Sequence, residues 1–216
     1  MKKILMIALL LAVTINAFSQ RRRTVRRSYA RSSQWYIMPK VGFNIADVTD
    51  WGGDVRFGLA LGGELGCRVN QLITLSGSFI YSQQGTTTWY NNEKNNLSVH
   101  LDYINLPFMV HFSVAPGLQL KVGLQPGILV NDNSILKIGG RRYEGSLGKV
   151  LENTSWDDAG TQSVDWSMPF AVSYQYRKWV FDARYNLGLN NVTYGTWTNS
   201  GHNSVFQFTV GYKFSL

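Results

Sequence analysis

The chain has 216 residues, of which 44% are hydrophobic and 13% are aromatic, and its formal net charge is +8. A single cysteine, Cys67, excludes a fold held together by disulfides. The positive charge is confined to the start of the chain, because residues 32–216 hold 13 basic and 13 acidic side chains. We therefore expect no nucleic-acid partner.

Residues 1–19 have the pattern of a signal peptide. Two lysines give a positive start, and an apolar run follows over residues 4–13. Small residues at Ala17 and Ser19 occupy the two positions that a signal peptidase reads, so we predict cleavage before Gln20. The run is shorter than the roughly 20 apolar residues that a spanning helix needs. The sequence therefore predicts an exported protein.

Residues 20–33 form an arginine-rich leader, which we predict to be disordered because it has almost no apolar side chain to bury. In an exported protein such a segment suits contact with anionic lipid headgroups or with an acidic partner. A solvated spacer is the simpler alternative. The candidate contact residues of the leader are Arg21, Arg22, Arg23, Arg26, Arg27 and Arg31.

From residue 34 onward, apolar and polar residues alternate in eight segments. A period of two is typical of β-strands with one apolar and one polar face. An apolar face rich in aromatic side chains favours a membrane barrel over a soluble β-sandwich, whose strands also alternate. We predict an all-β protein, with an eight-stranded antiparallel transmembrane barrel over residues 34–216. The predicted strands cover about 34–45, 55–69, 72–84, 99–112, 118–130, 166–176, 179–190 and 204–216.

The fourth predicted strand is irregular, because its alternation slips near Tyr103, where we expect a β-bulge or the membrane boundary. We also assign Tyr103, with Tyr81 and Trp166, to an aromatic girdle at one membrane interface. No long window has a period of 3.6 residues, so we expect no helix. The opposite girdle is predicted to contain Trp35, Trp179, Tyr212 and Phe214.

The final strand ends in a pattern that resembles the signal read by the outer-membrane insertion machinery, with a glycine, an aromatic and an apolar residue at fixed spacing. We therefore expect the barrel-insertion machinery as a partner and the bacterial outer membrane as the location. The residues assigned to this insertion signal are Gly211, Tyr212, Phe214 and Leu216.

The connections between the predicted strands alternate in length. Those after strands two, four and six are short, and those after strands one, three, five and seven are longer. Outer-membrane barrels have short periplasmic turns and long outer loops, so we expect both termini in the periplasm and the long loops outside the cell. The longest connection, residues 131–165, reads as an irregular loop. It suits contact with an extracellular protein, a glycan or lipopolysaccharide, or is simply a variable surface loop.

Eight strands enclose an interior that side chains can fill. Buried charges need partners, so we predict that Glu64 and Asp182 are each surrounded by bases in a network that plugs the lumen. An ion path along the same charges is the alternative. The predicted lumen network consists of Lys40, Glu64, Arg68, Lys121, Asp182, Arg184 and Lys213.

The sequence contains no catalytic or metal-binding pattern, and we expect no enzyme activity, no cofactor and no metal. His100, His111 and His202 lack the spacing of metal ligands. Some eight-stranded barrels modify lipids with a serine and a histidine near the rim, and Ser98, His100 and Asp102 are the candidates for such a site. Spacing this loose is common by chance, so we do not favour it.

Four short motifs follow one another along the barrel region. They are YINLPFMV over residues 103–110, GLQPG over 123–127, YNLGL over 185–189 and GYKF over 211–214. Their order and spacing resemble those of PorT-like outer-membrane β-barrel proteins of the Bacteroidetes group. The resemblance covers about residues 34–216 and implies an outer-membrane barrel. A founding member of that family acts in protein export through the type IX secretion route, whereas the arginine-rich leader is not part of the family pattern.

The sequence therefore predicts an outer-membrane barrel with a plugged lumen and a structural or surface-interaction role that its extracellular loops carry out. An accessory component of a type IX-like secretion machine is the first alternative, and a small porin-like channel is the second. The expected partners are outer-membrane lipids and lipopolysaccharide, the insertion machinery, and either a secretion-system component or an extracellular molecule.

Overall fold

The structure, a computed structural model, describes residues 34–49, 54–90, 95–152, 160–194 and 201–216. The predicted signal peptide and arginine-rich leader lie outside the described residues. Among those residues, no helix has the length and apolarity of a membrane span. The described elements are β1 (Trp35–Val48), β2 (Asp54–Arg68), β3 (Ile73–Tyr90), β4 (Asn95–Asn105), β5 (Phe108–Ala115), β6 (Leu118–Ile138), β7 (Arg141–Gly145), α1 (Leu147–Glu152), β8 (Gly160–Thr161), β9 (Val164–Tyr176), β10 (Trp179–Asn191), β11 (Thr193–Tyr194), β12 (His202–Tyr212) and β13 (Phe214–Ser215).

Eight barrel strands close into a ring. β4 and β5 form one barrel strand interrupted at Leu106 and Pro107, and β12 and β13 form another interrupted at Lys213. Around the ring, the order is β1, β2, β3, β4/β5, β6, β9, β10 and β12/β13, and every neighbouring pair is antiparallel. β1 also pairs with β12, which closes the ring. The predicted eight-stranded antiparallel barrel is confirmed.

Side chains alternate between exposed and buried along the barrel strands. On β1, Val41 and Phe43 are exposed, whereas Lys40 and Asn44 face the interior and are buried. The outward positions are apolar on every barrel strand, so a continuous apolar belt surrounds the barrel. A belt of this extent needs an apolar environment, because soluble monomers rarely expose such patches.

The two ends of the barrel differ. At one end, here called the turn end, short connections at residues 69–72, 116–117 and 177–178 join consecutive barrel strands. β1 begins and β13 ends at this same end. At the opposite end, here called the loop end, β3, β4 and β6 run on beyond the barrel, as their pairing from Tyr90 and Asn95 onward shows.

The extended strands form a separate folded unit, which we call the platform. It consists of residues 83–90, 95–102 and 131–152. β6 turns back at Gly139 and Gly140, which have φ angles of 58° and 80°, into β7. Glycine adopts this left-handed conformation without the steric cost that other residues incur.

The platform has its own apolar core, which lies between its sheet and α1. The prediction of an irregular loop over residues 131–165, and of no helix, is therefore wrong for the described residues. Polar residues at 131–134 resemble a loop locally, but pairing with β4 draws them into a strand. Tyr103 and Val192, which lie outside the platform residues, complete this core. The buried side chains that the platform itself supplies are Leu97, Val99, Leu101, Leu136, Leu147 and Val150.

A register shift interrupts the pairing of β4 with β6 between Asp102 and Tyr103. The predicted β-bulge is confirmed, but its extra residue is Val130, on β6. Tyr103 keeps the inward phase of Leu101 on β4 and is fully buried beneath the platform. Its assignment to an exposed aromatic girdle is therefore wrong.

Near the turn end, the ring of Tyr36 lies directly over Gly66, its cross-strand partner. A Cβ atom placed on Gly66 would be 2.1 Å from Tyr36 Cζ, so only glycine leaves room for the ring. In this position the Tyr36 hydroxyl donates a hydrogen bond of 2.6 Å to Glu64 Oε1. The missing side chain thus positions a buried donor for a buried carboxylate.

We expect Gly66→Ala to lower the free energy of unfolding by about 2 kcal/mol, because the new methyl group displaces the ring and breaks this bond. Gly63→Ala is the matched control, since the nearest atom to a Cβ at Gly63 is 3.9 Å away. Urea unfolding of the barrel refolded into lipid vesicles measures both. Equal effects of the two substitutions would contradict the role assigned to Gly66.

Candidate functional site

The half of the lumen nearer the turn end contains a buried ion pair between β1 and β2. Lys40 Nζ lies 2.5 Å from Glu64 Oε2, and both side chains are almost completely buried. Tyr36 binds the other carboxylate oxygen, so both oxygens of Glu64 have a donor. A buried carboxylate is tolerated when its charge and its hydrogen bonds are both satisfied in this way.

A second buried ion pair connects strands that are not neighbours. Lys121 Nζ on β6 lies 2.6 Å from Asp182 Oδ2 on β10, across the intervening β9. Ala171 is the β9 residue paired with Lys121, and its small side chain leaves space for the lysine to pass over it. Arg184 Nε lies 3.7 Å from the other oxygen of Asp182. The pair therefore links β6 and β10 over the one strand that separates them.

The structure brings together five of the seven residues of the predicted lumen network, namely Lys40, Glu64, Lys121, Asp182 and Arg184. It separates the other two from these ion pairs. Arg68 is exposed at the last position of β2. Lys213 is half-buried, donates to Gln175 Oε1 at 3.3 Å and lies 4.1 Å from the centre of the Tyr36 ring. The inward direction predicted from the sequence did not bring Arg68 and Lys213 into the ion pairs, because both residues lie at the turn end.

Nearer the loop end than the ion pairs, amide and hydroxyl groups of β12, β1 and β3 form a hydrogen-bonded layer inside the barrel. Asn44 Nδ2 donates to Ser82 Oγ at 2.9 Å, and Asn44 Oδ1 accepts from Gln207 Nε2 at 3.0 Å. Gln84 donates to the same serine at 2.9 Å. Nearer the turn end than this layer, His111 Nε2 and Ser76 Oγ share a hydrogen bond of 2.7 Å. The period of two in the sequence could have placed these residues inside the barrel. The sequence analysis selected only charged residues for the lumen network, so these uncharged side chains were missed.

Asp132 fixes the platform at the loop end. Its carboxylate oxygens lie 3.3 Å from the backbone nitrogen of Leu147, which begins α1, and Oδ2 accepts from Thr161 Oγ1 at 2.7 Å. A carboxylate at a helix N-terminus satisfies a backbone donor that lacks a partner within the helix. Sequence analysis did not predict this role, because Asp132 and Leu147 are 15 residues apart along the chain.

The outer face of the platform sheet is polar and carries both charge signs. Arg142 Nη2 lies 2.9 Å from Glu144 Oε2 in an exposed ion pair. Hydrogen bonds from Asn133 and Arg142 lower the pKa of Glu144. Burial, and then the nearby Arg56 guanidinium, lower the pKa of His100. Such a face can contact a polar macromolecule through hydrogen bonds and charge pairs.

The candidate catalytic residues of the sequence bond to other partners. Ser98 Oγ accepts from Thr87 at 3.2 Å, and Asp102 Oδ2 accepts from Tyr81 at 3.0 Å and from Asn131 at 2.9 Å. Among the residues that the structure describes, no group of His, Cys, Asp or Glu could hold a metal ion. The expectation of no enzyme activity and no cofactor stays a prediction.

The residues of the predicted insertion signal lie at the closing seam. Tyr212 packs edge-on against Trp179 with ring centres 5.1 Å apart, and its ring centre lies 4.8 Å from that of Phe214. The backbone nitrogen of Leu216 donates to Trp35 at 3.0 Å, and Gly211 is buried beside Met38. Their recognition by the insertion machinery stays a prediction.

A family model described as outer membrane protein β-barrel domain matches residues 18–194. This chain belongs to that family. The match and the apolar belt together make it a transmembrane β-barrel of the bacterial outer membrane. Lipid therefore surrounds the belt, and lipopolysaccharide is part of its environment.

Solved structures with related barrels are distant in sequence. Ail, the attachment invasion locus protein of Yersinia pestis, is 13% identical with a TM-score of 0.48, over 84% of this chain and 99% of that one. Neisserial surface protein A is 13% identical with a TM-score of 0.43, over 87% and 100%. OprG from Pseudomonas aeruginosa is 10% identical with a TM-score of 0.42, over 86% and 98%. These likenesses carry no information on function, and no curated protein matches the chain.

We expect Lys40→Met to lower the free energy of unfolding by about 3 kcal/mol, because it leaves the buried Glu64 carboxylate without its nearest base. The double substitution Lys40→Met with Glu64→Gln removes both charges and should cost less than the single one. Arg142→Gln breaks an exposed pair and should cost less than about 1 kcal/mol.

Urea unfolding in vesicles compares the three variants with the parent protein. A double variant that is less stable than Lys40→Met alone would show that the unpaired charge is not the cause.

Proposed function

We propose that this outer-membrane barrel is a non-enzymatic surface protein that presents the platform to molecules outside the cell. The observation that carries the proposal is that the platform has its own core. A loop with no binding role does not need a buried apolar cluster, a capped helix and a paired hairpin. Its polar outer face fits an extracellular protein, a glycan or the sugar region of lipopolysaccharide.

The proposed orientation has the loop end outside the cell and the turn end in the periplasm. Short turns on one side and long connections on the other are the habit of outer-membrane barrels. The barrel has this asymmetry, with two residues between β9 and β10 at one end and the whole platform at the other. Both termini of the barrel would then face the periplasm.

The filled lumen favours a role in presenting the platform and argues against a porin-like channel. An eight-stranded barrel has an interior about as wide as the side chains that fill it. Here the ion pairs of Glu64 and Asp182 and the Asn44–Gln207 hydrogen bond are formed by side chains that are almost completely buried inside the barrel. An ion path would have to break buried charge pairs, which costs several kcal/mol per pair.

We expect whole-cell labelling to reveal this orientation. In a Cys67→Ser background, a membrane-impermeant thiol reagent should label Arg141→Cys in intact cells and Lys178→Cys only after lysis. Both positions are exposed and lie next to turns, so they are matched in accessibility. The Cys67→Ser parent controls for background labelling. The reverse pattern would overturn the proposed orientation and with it the surface role.

A role as an accessory component of a protein-secretion machine is the second candidate. The four PorT-like motifs favour it, and they lie on the barrel strands β4/β5, β6, β10 and β12/β13 rather than on the platform. In that role the turn end and the leader would contact the machine, and the platform would be secondary.

Comparing the secreted proteins of a strain that lacks the gene with those of its parent separates the two candidates. For a surface-presenting barrel, we expect the same set of secreted proteins from both strains. Selective loss of a set of exported proteins, with the outer membrane intact, would favour the secretion accessory. Complementation with a chain lacking residues 21–31 tests whether the leader is needed for that export.

A further inference from the structure

The turn end carries an arc of basic side chains that the sequence did not reveal as a unit. Arg177 and Lys178 form the turn between β9 and β10, Lys213 interrupts β12 and β13, and Arg68 ends β2. The strands concerned, β9, β10, β12/β13, β1 and β2, are consecutive around the ring, so the four bases lie on one side of the barrel. We call these four residues the basic arc.

No Asp or Glu side chain lies at the turn end among the described residues. The carboxylates nearest to it, Glu64 and Asp182, are buried and already paired inside the lumen. The described ion pairs include none of the four arc residues. The other Asp and Glu residues whose side chains the structure describes lie toward the loop end, and they are Asp47, Asp54, Asp102, Asp132, Glu144 and Asp165.

Aromatic rings hold three of the four bases. Arg177 Cζ lies 5.6 Å from the centre of the Tyr176 ring, and Lys178 Nζ lies 5.9 Å from that of Tyr212. Lys213 lies over the buried Tyr36 ring and already donates to Gln175 Oε1, so Arg68, Arg177 and Lys178 are the arc bases open to an anion. A cation over a ring face is attracted without being neutralised, so its N–H groups stay available to an anion.

The position of the basic arc relative to the membrane surface indicates which ligand it binds. Tyr176, Trp179 and Phe214 are exposed on the outer surface beside the arc, at the lower edge of the apolar belt. Exposed Trp and Tyr side chains at such an edge lie at the depth of the lipid headgroups. Cations at this depth are within reach of lipid phosphates, whereas a water-soluble partner would meet only the tips of the turns.

We propose that the basic arc binds the phosphate groups of anionic glycerophospholipids in the leaflet that surrounds the turn end. This site is separate from the platform and does not depend on the surface-presenting role. A base near an anionic membrane surface increases binding by about fivefold. Because the arc covers one side of the ring, anionic lipid is enriched on that side of the barrel and not around its whole circumference.

The test measures phosphatidylglycerol that stays bound to the mature full-length protein after extraction from vesicles of equal phosphatidylcholine and phosphatidylglycerol, by native mass spectrometry. The arc variant combines Arg68→Gln, Arg177→Gln and Lys178→Gln, and leaves Lys213 on its ring. The matched control combines Lys137→Gln, Arg141→Gln and Arg142→Gln at the loop end, with the same loss of charge. Unfolding midpoints in pure phosphatidylcholine show that both variants are folded.

We expect the ratio of bound phosphatidylglycerol to phosphatidylcholine to fall about tenfold or more in the arc variant. In the control it should change less than about twofold, because its bases lie at the other end. If the parent protein and the arc variant retain equal amounts of phosphatidylglycerol, the proposal is overturned. That result would favour a water-soluble acidic partner for the basic arc. Equal loss in both variants overturns it too, because total charge is then the cause.

A chain lacking residues 21–31 separates the leader from the arc. Retained enrichment in this chain, lost again when the arc substitutions are added, supports the arc as the lipid site. Complete loss on deletion of the leader alone overturns the proposal in favour of the leader arginines.

Discussion

Closure of the ring between β1 and β12 is the constraint on which the rest of the structure depends. In lipid, an open strand edge would leave backbone donors and acceptors without partners, at a cost of several kcal/mol for each group. Pairing from Lys40–Gly211 to Val48–Asn203 removes that edge. Closure also fixes the width of the interior, because eight strands leave room for little besides side chains.

That narrow interior explains why charged side chains of the lumen meet in ion pairs. They come within bonding distance of one another even when their strands are not neighbours, as Lys121 and Asp182 do across β9. Small residues make room for the large ones, with Ala171 under the lysine and Gly66 under the Tyr36 ring. The apolar surface that a soluble protein would bury inside is on the outside here, and lipid covers it.

The two ends of the barrel differ in the side chains that they carry and in how these are covered. At the loop end, β3, β4 and β6 extend beyond the ring, where neither lipid nor the lumen can bury their apolar side chains. α1 covers them, and Asp132 holds its first turn. At the turn end the strands are joined tightly, and the exposed charged side chains among the described residues are all basic. A barrel region with no net charge by sequence therefore has ends of different electrostatic character, and each end suits a different partner.

The sequence by itself determined the number of strands, their approximate limits and the face that each residue occupies, because a period of two is a local property of a strand. It therefore placed Lys40, Glu64, Lys121 and Asp182 in the interior. Tertiary structure alone decided which of them meet, since this depends on the register around the ring and on the height of each residue. For the same reason Arg68 and Lys213 lie at the rim, Tyr103 is buried in the core beneath the platform, and residues 131–152 fold on β4 instead of forming a loop.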